Sequence, residues 1–383
     1  MPAGTHGTPI YLDYNATTPV LPEIADALRP YIDERFGNPS SDHAFGRAAA
    51  EGVQLARQQV ADLLDAQPDE VVFTSGGSES DNWALLGRVW AAGIDSPHLV
   101  TTGIEHPAIL ATCRFLERRG AVVTYLPVDA TGRVDPDDVR RALRPSTVLV
   151  SVMHANNEVG TIQPIAEIAS TCREAGVPLH TDAAQSVGKI PTRVDDLGVD
   201  LLTIAGHKLY APKGIGVLYV RRGTALEPLI HGAGHEGGRR AGTENVAWMI
   251  GLGAAADLAR RTMSSERARQ RALRERLHRA FEDNAGQVTL NGHPVDRLPN
   301  TLNVRFAGVD GNAVLAATPT VAASTGSACH AGQSDPSPVL LAMGVPPSEA
   351  VGAIRLSLGR LTTPDDVERA AVALSATVQS LRG

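Results

Sequence analysis

Cysteine is scarce in this chain, and its scarcity bounds the environment in which the protein works. The sequence has 383 residues and only three cysteines, Cys113, Cys172 and Cys329. An odd and sparse set excludes a framework of disulfides and is typical of proteins of a reducing cytoplasm. Cys113 and Cys172 fall in helical patterns and are predicted to be buried, inert thiols. Cys329 differs because it lies in a stretch of small residues, 320–332.

Long apolar runs and an excess of basic residues are also missing. No run is long enough to span a bilayer, and residues 1–7 lack the apolar core of a signal peptide, which predicts a loose tail. The formal net charge of -7 offers no broad basic surface. Neither a membrane nor direct nucleic-acid binding is therefore expected. A content of 43% hydrophobic and 20% charged residues fits a globular protein.

The order of the predicted elements indicates an α/β protein of two domains. A chain of this length can bury two cores. Apolar strands alternate with helices, which predicts a parallel sheet with right-handed crossovers. These strands are predicted at 71–73, 98–102, 121–125, 147–152, 177–181 and in the apolar run that follows Asp200. A long helix over 246–284 then marks the passage to a second domain, with strands at 301–306 and 353–358.

The stretch that ends in Gly206-His207-Lys208 organises the chain. An apolar run precedes Lys208, and a glycine-rich turn follows it at 212–216. A lysine at the end of a buried strand can lose its charge by desolvation and become a nucleophilic amine. Such an amine forms Schiff bases with carbonyls, including that of pyridoxal phosphate (PLP). Taken alone, an ordinary surface lysine is the simpler interpretation, so the motifs upstream decide the matter.

A second candidate site lies between the strand at 71–73 and the helix that follows it. The connection contains Ser75-Gly76-Gly77-Ser78, and free backbone amides together with the helix dipole would bind an anion there. Its spacing is that of neither a Walker loop nor a dinucleotide fingerprint. A tight connection without a ligand is an equal alternative for this motif on its own.

Polar residues gather where the predicted strands end, and ligands of parallel sheets bind at that edge. The residues placed there are Ser78, His106, Asn157, Asp182, Gln185, His207 and Lys208. Together they predict a PLP site. Lys208 would hold the aldehyde as a Schiff base, and Asp182 would pair with the protonated pyridine nitrogen. Gly77 and Ser78 would hold the phosphate, and His106, which in isolation would be a solvated loop histidine, would stack on the ring and shuttle protons.

The chain resembles the cysteine desulfurases, within the aminotransferase class V group of fold-type I PLP enzymes. The resemblance covers nearly the whole chain, from Tyr11 to Arg360. Its motifs are Thr-Ser-Gly-Gly-Ser-Glu-Ser at 74–80, Glu105-His106, Asn156-Asn157-Glu158, Thr-Asp-Ala-Ala-Gln-Ser at 181–186, Gly206-His207-Lys208, Arg240-Ala241-Gly242-Thr243 and Gly326-Ser327-Ala328-Cys329.

This resemblance implies a fold-type I PLP-dependent transferase. Its large domain would contain a mostly parallel seven-stranded sheet flanked by helices, beside a smaller α+β domain. Residues 1–15 would be an N-terminal segment that joins the small domain, and residues 16–260 would form the large PLP-binding domain. Residues 261–383 would form the small domain with a mobile cysteine loop. The length of that loop resembles the family branch with a mobile loop.

The resemblance also implies which residues hold the cofactor. Asn157 and Gln185 would contact the ring hydroxyl of PLP, and Gly77, Ser78 and His207 would contact its phosphate. Many relatives of this kind have serine or threonine where this chain has Ala205, so one side-chain contact to the phosphate is lost here.

The remaining roles concern the partner subunit and the substrate. Thr243 would reach the phosphate of the cofactor in the partner subunit, which implies a homodimer. Arg355 and Asn15, with Asn157, would bind the carboxylate of L-cysteine, and a guanidinium suits bidentate binding of that group. Cys329 would be the nucleophile, because a thiolate is the reactive form of cysteine.

The implied reaction converts L-cysteine to L-alanine and leaves a persulfide on Cys329. A persulfide must travel to an acceptor, which explains a cysteine in a loop of small residues. The acceptor would be an iron–sulfur scaffold, a tRNA thiolation enzyme or a component of DNA phosphorothioation, and the sequence does not distinguish them.

Three alternatives remain. Residues 327–330 and 336–341 also resemble selenocysteine lyases, so a lyase that releases selenium from L-selenocysteine is the first. A different PLP enzyme, an aminotransferase in which Cys329 is incidental, is the second. The third is a PLP-fold sulfur-relay scaffold without turnover, against which the intact Lys208, Asp182, His106 and Cys329 argue.

Overall fold

The computed structural model describes residues 8–326 and 336–383. The predicted tail at 1–7 and the segment 327–335, which includes Cys329, lie outside the described residues. The strands are β1 Ile10–Tyr11, β2 Val71–Thr74, β3 His98–Thr102, β4 Val122–Leu126, β5 Thr147–Ser151, β6 Leu179–Asp182, β7 Leu201–Ala205, β8 Gly216–Val220, β9 Val288–Leu290, β10 Thr301–Phe306, β11 Val321–Ala322 and β12 Ala353–Ser357. The helices are α1 Pro22–Leu28, α2 Pro30–Asp33, α3 Ala44–Leu64, α4 Gly77–Ala92, α5 Pro107–Glu117, α6 Pro136–Ala142, α7 Ile165–Glu174, α8 Val194–Leu197, α9 Val246–Asn284, α10 Gly311–Ala317, α11 Pro338–Ala342, α12 Pro347–Ala350 and α13 Pro364–Arg382.

A seven-stranded sheet with the order β2-β8-β7-β6-β5-β3-β4 is the centre of the larger part. Strands β3 to β7 run parallel, and β8 runs antiparallel to β7 and β2. Successive side chains point to opposite faces, so Phe73 packs in one core cluster with α3, α7 and α9. Its neighbour Val72 packs in another with α4 and α5. The predicted sheet, mostly parallel and covered by helices, is confirmed.

Strand β8 is absent from the strands predicted from the sequence. It begins directly after the glycine-rich turn. Gly214 in that turn has a φ of 87°, a left-handed conformation that interrupts the sequence pattern of a strand just before β8. Gly216, its first residue, lies so close to the turn before α4 that a Cβ there would be 2.7 Å from the Cα of Gly76. A side chain at position 216 would therefore push the start of α4 away from the sheet.

A second core lies in the C-terminal part of the chain. Strands β12, β10 and β9 form an antiparallel sheet, and β1 pairs in parallel with β11. Helix α9 packs its first half, including Leu252, in the core of the large sheet, and Phe281 from its second half in this second core. Since α9 crosses between the two cores, we propose that residues 16–260 and 261–383 are the two domains, with 1–15 attached to the second.

Two further expectations concern single residue types and the membrane. Cys113 and Cys172 are buried free thiols, as predicted, and burial raises the pKa of each to about 12. Among the described residues, none of the helices has the length and apolar character that crossing a bilayer requires.

A buried ion pair ties the glycine-rich segment 231–245 to the large sheet. The guanidinium of Arg57 on α3 donates to both carboxylate oxygens of Glu236, at 2.8 and 2.6 Å. The backbone N–H of Phe73 donates to the same carboxylate at 2.8 Å. The two charged side chains are only 10% and 2% exposed, so the removal of either one leaves the other charge buried.

We expect Arg57→Ala to lower the free energy of unfolding by about 3–5 kcal/mol, because the carboxylate of Glu236 then stays buried without its cation. The matched control is Arg222→Ala, which removes the guanidinium of an exposed pair with Asp69. Thermal melting of both variants checks the prediction. A melting temperature that falls equally little in both variants would contradict it.

Candidate active site

The candidate site lies where β6 and β7 end side by side. Asp182 is the last residue of β6 and pairs in register with Thr203 of β7, and Lys208 is in the turn directly after β7. The segment after β1 covers this edge. The Nζ of Lys208 donates to the backbone oxygens of Asn15 and Ala16, the latter at 2.8 Å.

The amine of Lys208 has the electrostatic character that the sequence predicts. Desolvation by burial, followed by the positive charge of Arg355, lowers the pKa of Lys208 to about 8. Asp13 and Asp182 act in the opposite direction. At pH 7 roughly a tenth of this lysine is therefore the neutral, nucleophilic amine, whereas an ordinary lysine is almost wholly protonated.

Asp182 is a buried carboxyl group without a counter-charge of its own. Its Oδ1 accepts a hydrogen bond from the N–H of Ala184 at 2.9 Å, and no ion pair of the described residues includes it. Burial raises its pKa, and that hydrogen bond and the charges of His106 and Lys208 only partly oppose the effect. A buried carboxylate in this position gains most from a cation brought by a ligand, which fits a protonated pyridine nitrogen.

Two further acidic groups, which the sequence analysis assigned no role, lie behind Asp182. Glu105 accepts hydrogen bonds from Thr102 at 2.7 Å and from the N–H of Met153 at 3.0 Å, and burial raises its pKa to about 8. Asp81 is also buried, and its Oδ1 has no hydrogen-bond partner in the described part of the chain. Burial and then the charge of Asp182 raise the pKa of Asp81 well above its ordinary value. Asp182 is the carboxyl group of this cluster whose pKa the charges of His106 and Lys208 lower.

The start of α4 has the uncapped backbone that the Gly-Gly-Ser motif would need to form an anion cradle. Helix α4 begins at Gly77, and Gly76 before it has no side chain to cap the first N–H groups. The space around a Cβ at Gly76 is open, whereas a Cβ at Gly77 would lie 3.2 Å from the methyl of Ala205. Ser78 is exposed beside these free amides. A phosphate can therefore approach the helix start on the open side of Gly76, whereas the side of β7 is closely packed.

Two histidines flank this cleft. His207 lies within 3.2 Å of the hydroxyl of Thr17, and desolvation followed by the charge of Lys208 lowers its pKa to about 4. His106 precedes α5 and is exposed at the cleft, yet the surrounding protein desolvates its ring enough to lower its pKa. Asp182 opposes that shift and Lys208 adds to it. Both rings are therefore neutral near pH 7.

Arg355 of β12 brings a guanidinium from the second core to the cleft. Its two terminal nitrogens donate to Asp13 at 2.7 Å and to the backbone oxygen of Asn157 at 3.1 Å. The side chain is 3% exposed, and its Nε has no partner among the described residues. A substrate carboxylate would compete with Asp13 and with the backbone oxygen of Asn157 for the terminal nitrogens.

Asn15 forms hydrogen bonds to several other residues at this site. Its Nδ2 donates to the backbone oxygen of Asn157 at 3.1 Å and to Thr301 at 2.9 Å, and its Oδ1 accepts from Asn300 at 3.0 Å. The Nε2 of Gln185 donates to the backbone oxygen of Asn15 at 3.0 Å. For the predicted contact with a substrate, the side chain of Asn15 would have to give up one of these hydrogen bonds.

Glu158 belongs to a sequence motif but had no predicted role. It contacts Gly326 and Ser337, which lie on either side of the segment that contains Cys329. Its carboxylate accepts a hydrogen bond from Ser337 at 2.5 Å. It also lies against Gly326, where a Cβ would be 2.5 Å from the carboxylate oxygen and φ is 106°. Glu158 is buried, and burial raises its pKa against the opposing effects of Ser337 and Arg355.

The structure thus brings most of the predicted residues to one cleft, with two exceptions. Thr243 is exposed and forms no hydrogen bond within the part of the chain that the structure describes. Its segment is held in place next to the cradle, because Arg240 pairs with Glu79 of α4 at 2.9 Å. Cys329 lies outside the described residues, so its place relative to Lys208 stays a prediction.

Comparisons with known proteins agree on one family. The aminotransferase class-V family model matches residues 10–370. A protein named cysteine desulfurase IscS from Dictyoglomus turgidum is 48% identical over 375 residues, which cover 97% of this chain and 95% of the relative. A solved NifS-like protein is similar with a TM-score of 0.91 at 33% identity, over 97% of this chain and 100% of that chain. A solved structure of SspA in complex with cysteine has a TM-score of 0.81 at 39% identity, over 91% and 98% of the two chains.

We expect the protein freed of cofactor to form a Schiff base with added PLP at a rate that rises with pH and is half-maximal near pH 8. The reason is that only the neutral amine of Lys208 attacks, and the pKa of that amine is lowered to about 8. Stopped-flow absorbance of the lysine-bound cofactor measures the rate, with N-acetyl-lysine as the reference amine. A midpoint near the ordinary lysine value of 10.5 would contradict the assignment.

Proposed function

Because the chain belongs to the aminotransferase class-V family and, within it, to the cysteine desulfurases, we propose that it converts L-cysteine to L-alanine and keeps the sulfur as a persulfide on Cys329. The observation that supports this most is the pairing of a desolvated amine, Lys208, with a buried carboxyl group, Asp182, that has no cation of its own. The guanidinium of Arg355, which lies beside Asn157 in the same cleft, would bind the substrate carboxylate.

PLP is the cofactor that these residues would hold, and when bound it supplies the electron sink for bond changes at the substrate α-carbon. Lys208 would bind its aldehyde, and Asp182 would hold the positive charge of its ring nitrogen. Gly77 and Ser78 would bind the phosphate through the free amides at the start of α4, with His207 beside them. The neutral ring of His106 is able to accept a proton at the cleft.

The groups that react in the sulfur step are the thiolate of Cys329 and the sulfur of the substrate, and bound PLP would supply the electron sink. The thiolate attacks the sulfur of cysteine, so a sulfur–sulfur bond forms while the carbon–sulfur bond breaks. The electron pair stays with the carbon fragment, which takes up protons and leaves as alanine. Arg355 would hold the substrate carboxylate during this step, with Asn157 and Asn15 next to it. Glu158 would fix the ends of the segment that contains the nucleophile.

We further propose that the active unit is a homodimer in which Thr243 binds the phosphate in the partner subunit. Its exposed side chain lies on a segment that Glu236 and Arg240 anchor to the chain's own sheet and cradle. The persulfide would pass to an acceptor protein of iron–sulfur assembly, tRNA thiolation or DNA phosphorothioation. The free thiols of Cys113 and Cys172 fit a reducing cytoplasm as the setting.

We expect Cys329→Ser to keep the absorbance of bound PLP and its spectral change on cysteine addition, but to release no sulfide with a reductant present. Serine preserves the size of the side chain and lacks the sulfur that accepts the transferred atom. The matched control is Cys172→Ala, which removes a buried thiol far from the proposed chemistry and should keep sulfide release. Unchanged sulfide release by Cys329→Ser would refute the role of Cys329.

The substrate proposal predicts that L-cysteine alone supports alanine formation over many turnovers when a reductant removes the persulfide. Comparison of kcat/KM for L-cysteine and L-selenocysteine, with alanine as the scored product, tests it against the selenocysteine lyase alternative. A protein that releases alanine from L-selenocysteine and none from L-cysteine would contradict the proposal.

A further inference from the structure

Lysine is rare in this chain, and its few lysines are close together. The sequence has 35 lysine and arginine residues, of which only Lys189, Lys208 and Lys213 are lysines. Lys208 is in the active site and Lys213 is exposed. An ammonium is compact and donates in three directions, whereas a guanidinium is a planar fork. A chain that otherwise uses arginine as its cation therefore marks Lys189 as a position where the compact group is needed.

Within residues 8–326 and 336–383, Lys189 donates to one residue, and it does so twice. Its Nζ is 3.0 Å from the backbone oxygen of Gln185 and 3.1 Å from the side-chain Oε1 of Gln185. The other end of the amide, Nε2, donates to the backbone oxygen of Asn15 at 3.0 Å. Gln185 is buried, so its amide has few other partners to choose from.

These two contacts determine which way the amide points. An ammonium can only donate, so the atom facing Lys189 must be the amide oxygen. A backbone carbonyl can only accept, so the atom facing Asn15 must be the amide nitrogen. The same backbone oxygen of Asn15 also accepts from the Nζ of Lys208, so the amide nitrogen of Gln185 lies next to the amine of the active site.

We propose that Lys189 is a positioning residue, which holds the amide of Gln185 so that its N–H side faces the ring hydroxyl oxygen of PLP. This inference rests on the proposed function, in which Gln185 contacts that oxygen. An amide turned the other way would present its oxygen to the cofactor oxygen, and the two acceptors would repel each other. Lys189 acts through Gln185 and contacts no reacting atom.

The alternative is that Lys189 acts independently of Gln185, by its charge. Burial, followed by the charges of Lys208 and Arg355, lowers the pKa of Lys189 to about 7. Since Lys189 and Lys208 repel each other, the charge of Lys189 also acts on the cleft directly. A double-mutant cycle separates the two explanations, because residues that act through each other have non-additive effects.

The experiment compares wild type, Lys189→Met, Gln185→Ala and the double variant. The readouts are the dissociation constant of PLP, from titration of the cofactor-free protein, and the pKa of the visible band of the lysine-bound cofactor. Methionine keeps an unbranched stem and removes the donors. We expect Lys189→Met to raise the dissociation constant of PLP by roughly 3- to 10-fold, which corresponds to the loss of one hydrogen bond. The same variant should shift the pKa of the visible band. In the Gln185→Ala background the same change should have no further effect.

Two controls keep the result interpretable. Lys213→Met removes an exposed lysine and should leave both readouts unchanged, and far-UV circular dichroism checks that each variant folds. Additive effects of the two substitutions, or a Lys189→Met protein that matches wild type in both readouts, would overturn the positioning role. A wild-type protein that forms no visible band would instead refute the proposed function itself.

Discussion

The candidate active site depends on one constraint, which is that an amine and a carboxyl group are both buried at the ends of two adjacent parallel strands. Water would make both groups fully charged and unreactive. Helices on both faces of the sheet and the segment after β1 exclude that water, so the pKa of Lys208 falls while that of Asp182 rises. Each shift costs stability unless a ligand offsets it. A cofactor with an aldehyde and a basic ring nitrogen satisfies both groups together.

The segment that contains Asn15 connects this constraint to the rest of the molecule. Its backbone oxygen accepts hydrogen bonds from Lys208 and Gln185, and its side chain bonds to Asn300 and Thr301 beside the second core. Strand β1 just before it packs against β11. The placement of Arg355, whose guanidinium crosses from the second core to the cleft, therefore depends on the same few residues as the environment of Lys208.

The sequence predicted the features that depend on local pattern. Apolar runs marked most strands of the sheet, and Asp182 and Lys208 were found because polar residues at strand ends meet at one edge. Features that depend on distant contacts were not predictable. Glu158 accepts a hydrogen bond from Ser337, which is 179 positions away, and no residue near Glu158 in the sequence indicates that bond. Lys189 was missed although the glutamine that it contacts is only four positions away and the rarity of lysine was a signal. Strand β8 was missed because the glycine-rich turn directly precedes it.

The most direct test of the central claim is borohydride reduction of the PLP-loaded protein, followed by peptide mapping by mass spectrometry. Reduction converts a Schiff base into a stable amine, so the labelled residue is the one that binds the cofactor. With three lysines in the chain, the assignment is unambiguous. The account predicts one pyridoxyl group per chain, on Lys208. A label on Lys189 or Lys213, or no label at all, would contradict it.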